Sequence, residues 1–298
     1  KVITLVRVRP ADKVSALREA VLREAGEEFL YVSMRFIFGT RVLNSQATLA
    51  ESGLVSGDEV QLVHMPLKCL SASFDGTARV WLASAGRLAS EQADSSPSAE
   101  EPLTVNHGSP VLDAAMSPDG AVLMTVVAGG EAMIWCANTG EPIARLEGDV
   151  MSAEFSPDGS RVTGASSAGT AGVWCAASGD RLLDLVGHAD DVKSASFSRD
   201  GALIATGSCD HTAGVWCATS GRRALTLRGH SDIVKAVTFS PCGELLATAS
   251  MDATARIWSA LQGTCLSLLS GHSKALSSIA FAPDALSVLT ASFDGMVR

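Results

Sequence analysis

Apolar and polar positions alternate over most of the chain, and the clearest stretch is Gly229 to Trp258, GHSDIVKAVTFSPCGELLATASMDATARIW. Val234, Ala236 and Thr238 form one period-two run, Leu245 to Ala249 form a second, and a third enters Ile257-Trp258. Runs of about five residues with this period, separated by Ser240-Pro241-Cys242-Gly243, predict strands joined by tight turns. The pattern returns on both sides at nearly constant spacing. Trp81, Trp135, Trp174, Trp216 and Trp258, all the tryptophans of the chain, stand 54, 39, 42 and 42 residues apart. A period of about 40–45 residues is that of a four-stranded repeating unit. The turns Ser117-Pro118-Asp119-Gly120, Ser156-Pro157-Asp158-Gly159 and Ser198-Arg199-Asp200-Gly201 fall at matching places, where Pro and Gly preset the backbone between the first two strands.

Residues 1 to 65 lack this repeat. An alternating strand is predicted over Val2 to Val8, followed by Pro10-Ala11-Asp12 and a helix from Val14 to Ala25. Val14, Leu17 and Val21, joined by Leu22, form its apolar stripe, with Glu19, Arg23 and Glu24 outside, the 3.6-residue period of an amphipathic helix. Gly26 stops it. Strands follow at Met34 to Phe38 and Val60 to Val63, with a turn through Gly39.

Two resemblances attach to these patterns. Gly-His, then Ser-x-Asp, then Ile-Trp, with 28 positions from His230 to Trp258, resembles the WD-repeat family of β-propellers. The run RFIFGTRVLNSQATLAESGLVSGDEVQLV resembles the second half of a ubiquitin-like β-grasp domain, with an Arg-apolar-Ile-Phe strand, Thr48-Leu49 before a short turn, Leu54 in a loop and a closing Val-x-Leu-Val strand. Together they imply a mainly β chain: a ubiquitin-like domain at 1–65, its first strand missing, then a propeller at 66–298. Val63 runs through His64-Met65-Pro66 into the next domain, where conjugating members of the ubiquitin-like family have a Gly-Gly tail. An integral recognition module is therefore the implied role, its usual surface mapping to Ile37 and Val63; the alternative is that both are ordinary packed sheet residues.

The array has uneven ends. Its first unit, LKCLSASFDGTARVW, contains what would be only the second and third strands of a blade, and its last, SKALSSIAFAPDALSVLTASFDGMVR, halts at Arg298, two positions short of its expected Trp. Six blades are represented, four of them complete. The resemblance implies either an incomplete or strained ring, or a longer natural chain of about seven blades. An acidic, Ser-rich stretch at 89–104 accounts for the long first Trp interval and reads as a mobile loop, either a plain insertion or a docking or phosphorylation segment.

Composition narrows the function. With 47% hydrophobic residues the chain can fill real cores, and no run of about 18 apolar residues or signal-like segment occurs. Of the seven cysteines, Cys136, Cys175 and Cys217 each follow a Trp, so their spacing is that of the repeat, and reduced thiols in an intracellular compartment, cytoplasmic or nuclear, are expected. A net charge of −9 argues against binding a nucleic-acid backbone. No phosphate loop and no C-x2-C pair occurs, so nucleotide and zinc sites have no sequence support; no cofactor, no metal, no membrane and no small-molecule substrate is expected of such a chain.

In the WD family the Gly-His, the Ser and Asp of Ser-x-Asp, and the Trp form a hydrogen-bonded chain within each blade. The matching sets are His188, Ser208, Asp210 and Trp216; His230, Ser250, Asp252 and Trp258; and His272, Ser292 and Asp294. Trp81 has Ser73 and Asp75 without a His, His107 faces Val127 and Gly129, and in the third unit a deletion after Gly148 removes the His while Ala168 replaces the Asp. The second and third units are expected to be the softest. A Ser, His and Asp in one motif invite a hydrolase reading, and Cys209-Asp210-His211 a thiol one. Their recurrence in mutually satisfied roles, without a nucleophile elbow, points to structure rather than catalysis.

Recognition surfaces are the better search. The residue before the turn Asp, which is Phe74, Cys209, Met251 or Phe293, points to the rim of the top face in this family, with Asp190, Asp232 and Lys274 beside it; the alternative is packing over each blade's own hydrogen-bonded set. No Trp is followed by Asp, unlike the Trp-Asp-x-Arg/Lys ending of cullin-ligase substrate receptors. The resemblance thus implies a non-enzymatic scaffold for partner proteins. Two alternatives remain: a ribosome-assembly factor of the ubiquitin-like plus WD-repeat type, where Glu51 or Asp58 would supply a metal ligand to a partner ATPase, and an adaptor in ubiquitin ligation or proteasome delivery.

Overall fold

The computed structural model describes residues 33–38, 41–42, 50, 61–65, 67–83, 102–167 and 169–298. The helix expected at Val14 to Ala25, the strand at Val2 to Val8, Ala168, Glu51, Asp58 and most of the acidic stretch lie outside them. The chain divides into two compact units, residues 1–69 with 80–102, and 70–79 with 103–298.

In the first unit, β1 (Ser33–Phe38), β2 (Arg41–Val42) and β3 (Gln61–Met65) form a three-stranded antiparallel sheet in the order β2-β1-β3. Arg35 stands opposite Val63 and Ile37 opposite Gln61, so Ile37 and Val63 lie two residues apart in register.

The repeats follow. β4 (Leu67–Ala72), β5 (Thr77–Ala83) and β6 (Leu103–Asn106) form a second three-stranded sheet. The third strand was not expected: Leu103 and Thr104, read as the end of the loop at 89–104, instead open a strand, where the short run Leu103-Thr104-Val105 supplies the alternation and buries Val105. The second repeat consists of β7 (Val111–Met116), β8 (Val122–Val127), β9 (Ala132–Cys136) and β10 (Pro142–Leu146). The third has β11 (Ser152–Phe155), β12 (Arg161–Ala165), β13 (Thr170–Cys175) and β14 (Arg181–Val186). In the fourth are β15 (Val192–Phe197), β16 (Leu203–Ser208), β17 (Ala213–Cys217) and β18 (Arg223–Leu227). The fifth contains β19 (Val234–Phe239), β20 (Leu245–Ser250), β21 (Ala255–Ser259) and β22 (Cys265–Leu269), and the sixth β23 (Leu276–Phe281) and β24 (Val288–Ser292). Repeats two to five are each a four-stranded antiparallel meander in chain order, the architecture of a propeller blade. No helix occurs among the described residues.

The second strand of repeats two to five is nearly all buried, as in Ile204 to Ser208 and Leu246 to Ser250, while the fourth strand exposes most of one face. The apolar cores therefore sit between neighbouring repeats. Leu185 and Val173 of the third pack with Phe197, Ile204 and Trp216 of the fourth, and Val215 and Leu227 of the fourth pack with Phe239, Leu246 and Trp258 of the fifth. The turns between first and second strands close as their chemistry demands: Ser198 Oγ donates to Asp200 at 2.6 Å, and the Ala202 N–H donates to the same oxygen at 3.0 Å. The last turn residue is left-handed, with φ of 66°, 73°, 69° and 77° at Gly120, Gly159, Gly201 and Gly243; the sixth repeat places Ala285 there at 60°.

Candidate functional site

The fourth and fifth repeats hold nearly identical polar chains. His230 Nδ1 lies 2.8 Å from Asp252 Oδ2, its Nε2 lies 2.8 Å from Thr248 Oγ1, and Trp258 Nε1 donates to that hydroxyl oxygen at 2.9 Å. The indole can only donate, so the Thr248 hydroxyl passes its proton to Nε2, and Nδ1–H donates to the carboxylate. Every donor is used once. His188, Asp210, Thr206 and Trp216 repeat the geometry at 2.8, 2.8 and 2.7 Å, and His272 contacts Asp294 and Thr290 at 2.9 and 3.0 Å.

This differs from the expected set at one member. The link between His and Trp is the strand threonine, Thr206, Thr248 or Thr290, not the serine two residues later. Ser208, Ser250 and Ser292 instead donate to the carbonyls of Asp190, Asp232 and Lys274 at 2.9, 3.0 and 2.9 Å, and accept the N–H of the turn Asp. They tie the loop ahead of the first strand to the turn after the second. The threonine was missed because a Thr within a strand reads as a plain β-former; its recurrence at 125, 206, 248 and 290 was the available signal.

Electrostatics follow the geometry. Burial pushes the Asp252 carboxyl upward, but hydrogen bonds from Thr254, His230 and the Ser231 N–H outweigh this and bring it down to about 2. Asp210 and Asp294 are held well below the usual range in the same way. Burial pulls His188 and His230 down against the pull of their aspartates, so the imidazoles are neutral near pH 7. The bridging hydroxyls of Thr206 and Thr248 are fully buried, so no substrate reaches them in this arrangement.

The second and third repeats are broken versions. His107 Nε2 is buried with no hydrogen-bond partner, although Trp135 Nε1 still reaches Thr125 at 2.9 Å. In the third, Gly164 stands where the bridging threonine would be, and Trp174 Nε1 turns to the Glu147 carbonyl at 3.2 Å.

Above each chain lies the turn between second and third strands. Phe74 is 79% exposed, Phe293 61% and Met251 39%; Cys209 is half-buried. The N–H groups of Cys209, Met251 and Phe293 donate to the carbonyls of Asp191, Ile233 and Ala275. Each is thereby fastened beside Asp190, Asp232 or Lys274 of its own repeat. Asp190 and Lys274 are exposed and Asp232 is half-buried. Asp190, Asp191 and Cys209 bring three ligand atoms within 4.8 Å of one another, but Lys193 Nζ already pairs with Asp191 at 2.9 Å.

Comparison with known families settles the class. The model described as WD domain, G-beta repeat, matches residues 140–175, 179–217, 221–259 and 263–298, together just over half of the chain. The chain belongs to the WD-repeat family. Comparison with curated proteins gives no match. The four matched WD segments include the fully bonded sets of the fourth and fifth repeats and also the degraded third, so the family's strand and turn pattern persists where its polar chain does not. No helix among the described residues is long and apolar enough to cross a membrane.

Proposed function

We propose that the chain is a protein-interaction scaffold without catalytic activity, whose turn-borne rim holds a partner protein. The observation that carries this reading is the exposure of Phe74, Met251 and Phe293 at one equivalent turn position in three repeats. Large apolar groups on a rigid base form binding hot spots, because little side-chain entropy remains to be lost on docking. Asp190, Asp232 and Lys274 add polar contacts at the border. Closed His-Thr-Trp chains support the same reading, since they fix the turns and keep their bridging hydroxyls buried. The assembly-factor and ubiquitin-adaptor roles rest on residues 1–65, and the rim does not favour either over a general scaffold.

The test is quantitative co-purification with a single and a double rim variant, Met251→Ser and Met251→Ser with Phe293→Ser. Loss of the same specific partners from both, with thermal unfolding unchanged, is the expected result. Undiminished recovery of every partner would sink the rim as the binding surface.

A further inference from the structure

At the opposite end of the first strands, residues of repeats three to six line an open recess of about 300 Å³. Phe197, Phe239 and Phe281 contribute apolar wall, Ser196 and Thr238 contribute hydroxyls, and Glu154 contributes a carboxylate. The position that Glu154 occupies, one residue before the end of the first strand, holds Ala115, Ser196, Thr238 and Ala280 in the sister repeats. Glu154 is the only charge in this column, so the fold does not require one there. It is half-buried and has no ion-pair partner among the described residues.

Its surroundings explain its state. Burial, opposed by hydrogen bonds from Ser196 and the Phe197 N–H and reinforced by the negative Asp113 on β7, pushes the Glu154 carboxyl up to about 7. The strand on its other side, β12, presents Thr163 opposite it. Arg161 of that strand is committed to the carbonyls of Ala218 and Gly201 at 2.7 and 3.1 Å. On β19 the facing group is Thr238, and Arg199, exposed after β15, lines the recess without pairing with Glu154. A carboxylate withdrawn from water without a countercharge costs free energy that a bound cation removes.

We propose that this recess is a subsite for one lysine side chain of a partner polypeptide, its ammonium on Glu154 and its aliphatic stem against the phenylalanine wall. An ammonium offers three donors, which matches the carboxylate with the Ser196 and Thr238 oxygens around it. The Phe197 ring already carries the Arg161 guanidinium at 5.4 Å, so the phenylalanine wall supplies apolar contact for the stem rather than a face for the ammonium. The proposal rests on the scaffold reading only for the source of the lysine. It uses none of the rim residues and lies at the other end of the strands.

The test follows the Glu154 carboxyl by carbon NMR across pH 5 to 9, using Nα-acetyl-lysine methylamide as the probe. In the free protein the midpoint is expected near 7. Saturating probe should lower it by about one unit or more, and affinity should tighten about tenfold from pH 6 to pH 8 as the carboxylate ionises. Glu154→Gln and Glu154→Ser, the second copying a sister repeat, should fold and lose the response; Arg199→Gln should tighten binding. Met251→Ser should leave this titration unchanged, which separates failure of the subsite from failure of the rim. A midpoint that ignores the probe, an equal response to the Nε-acetylated analogue, or tighter binding of the arginine analogue would each overturn the assignment to lysine.

Discussion

The third and fifth repeats share a strand order and a register, and they differ in what their tryptophans bind. Trp258 begins a chain that runs through Thr248 and His230 to an ionised Asp252. Trp174 ends on one backbone carbonyl, with Gly164 in the threonine's place, where an added Cβ would sit 3.0 Å from both the Trp174 ring and Val150. Sheet and turns survive without the polar chain, so the chain is not what selects the fold. What it adds is local stability and a fixed rim, because Ser250 and Asp252 also hold the loop that carries Ser231 and Asp232.

The largest break in this comparison is Asp252→Ala. It strands His230 Nδ1, the Ser231 N–H and the Thr254 hydroxyl together, and should cost about 3 kcal/mol in chemical unfolding. Thr125→Val in the second repeat, where Trp135 alone uses the hydroxyl, should cost only about 1 kcal/mol. Native-state hydrogen exchange offers the same contrast without mutation: second-strand amides of repeats four and five should be protected at least about tenfold more than those of two and three. Equal protection would mean that the polar chains contribute nothing locally.

pH separates the two kinds of buried carboxyl. Asp252 is lowered to about 2 and His230 is lowered by burial, so both lend stability that is present above their unfolded values and lost as pH falls, from about 6.5 downward for the histidine and from about 4 for the aspartate. Glu154 runs the other way. Raised from 4.5 to about 7, it lends stability that is complete below pH 4.5 and lost as pH rises through 7, a difference of at most about 3 kcal/mol. Glu154→Gln should therefore flatten the alkaline side of the stability profile and leave the acid side unchanged, as thermal melts from pH 4 to 8 would read.

Two smaller changes test whether departures from the repeat are costly in themselves. Ala285→Gly restores the residue that suits a φ of 60° and should raise stability by about 0.5–1 kcal/mol. His107→Phe removes a buried nitrogen that has no partner and keeps an aromatic ring near Trp135, at 5.1 Å in the native chain; its effect should lie within about 0.5 kcal/mol of zero. A loss of 2 kcal/mol there would show that the second repeat's imidazole carries a role that its geometry does not reveal.

Much of this was legible in the alternation and the turn residues. The strands around Val234 and Leu245, the Ser-Pro-Asp-Gly turns and the repeat period all follow from local chemistry and recur often enough to be read. The bridging threonines did not stand out, because their role depends on a Trp ten residues later and a His eighteen residues earlier. Ser208 and Ser250 looked like members of the chain because they adjoin its aspartates. β6 was hidden because its first residues, Leu103 and Thr104, directly continue the acidic stretch. Glu154 passed unnoticed since a single carboxylate in an alternating strand reads as solvent-facing until the neighbouring first strands close around it.

The placement of the apolar clusters has a further consequence. Each joins the back half of one repeat to the front half of the next, so no repeat owns a core of its own. The smallest piece of this chain able to fold is then a pair of repeats, and a severed repeat would expose two half-cores at once. A weak unit such as the third is held by lodging: Trp174 is buried partly by Met124, Ile134 and Leu146 of its predecessor, while Val173 and Leu185 serve its successor. Sequence drift in one repeat is thereby tolerated for as long as the residues it lends to its neighbours stay apolar.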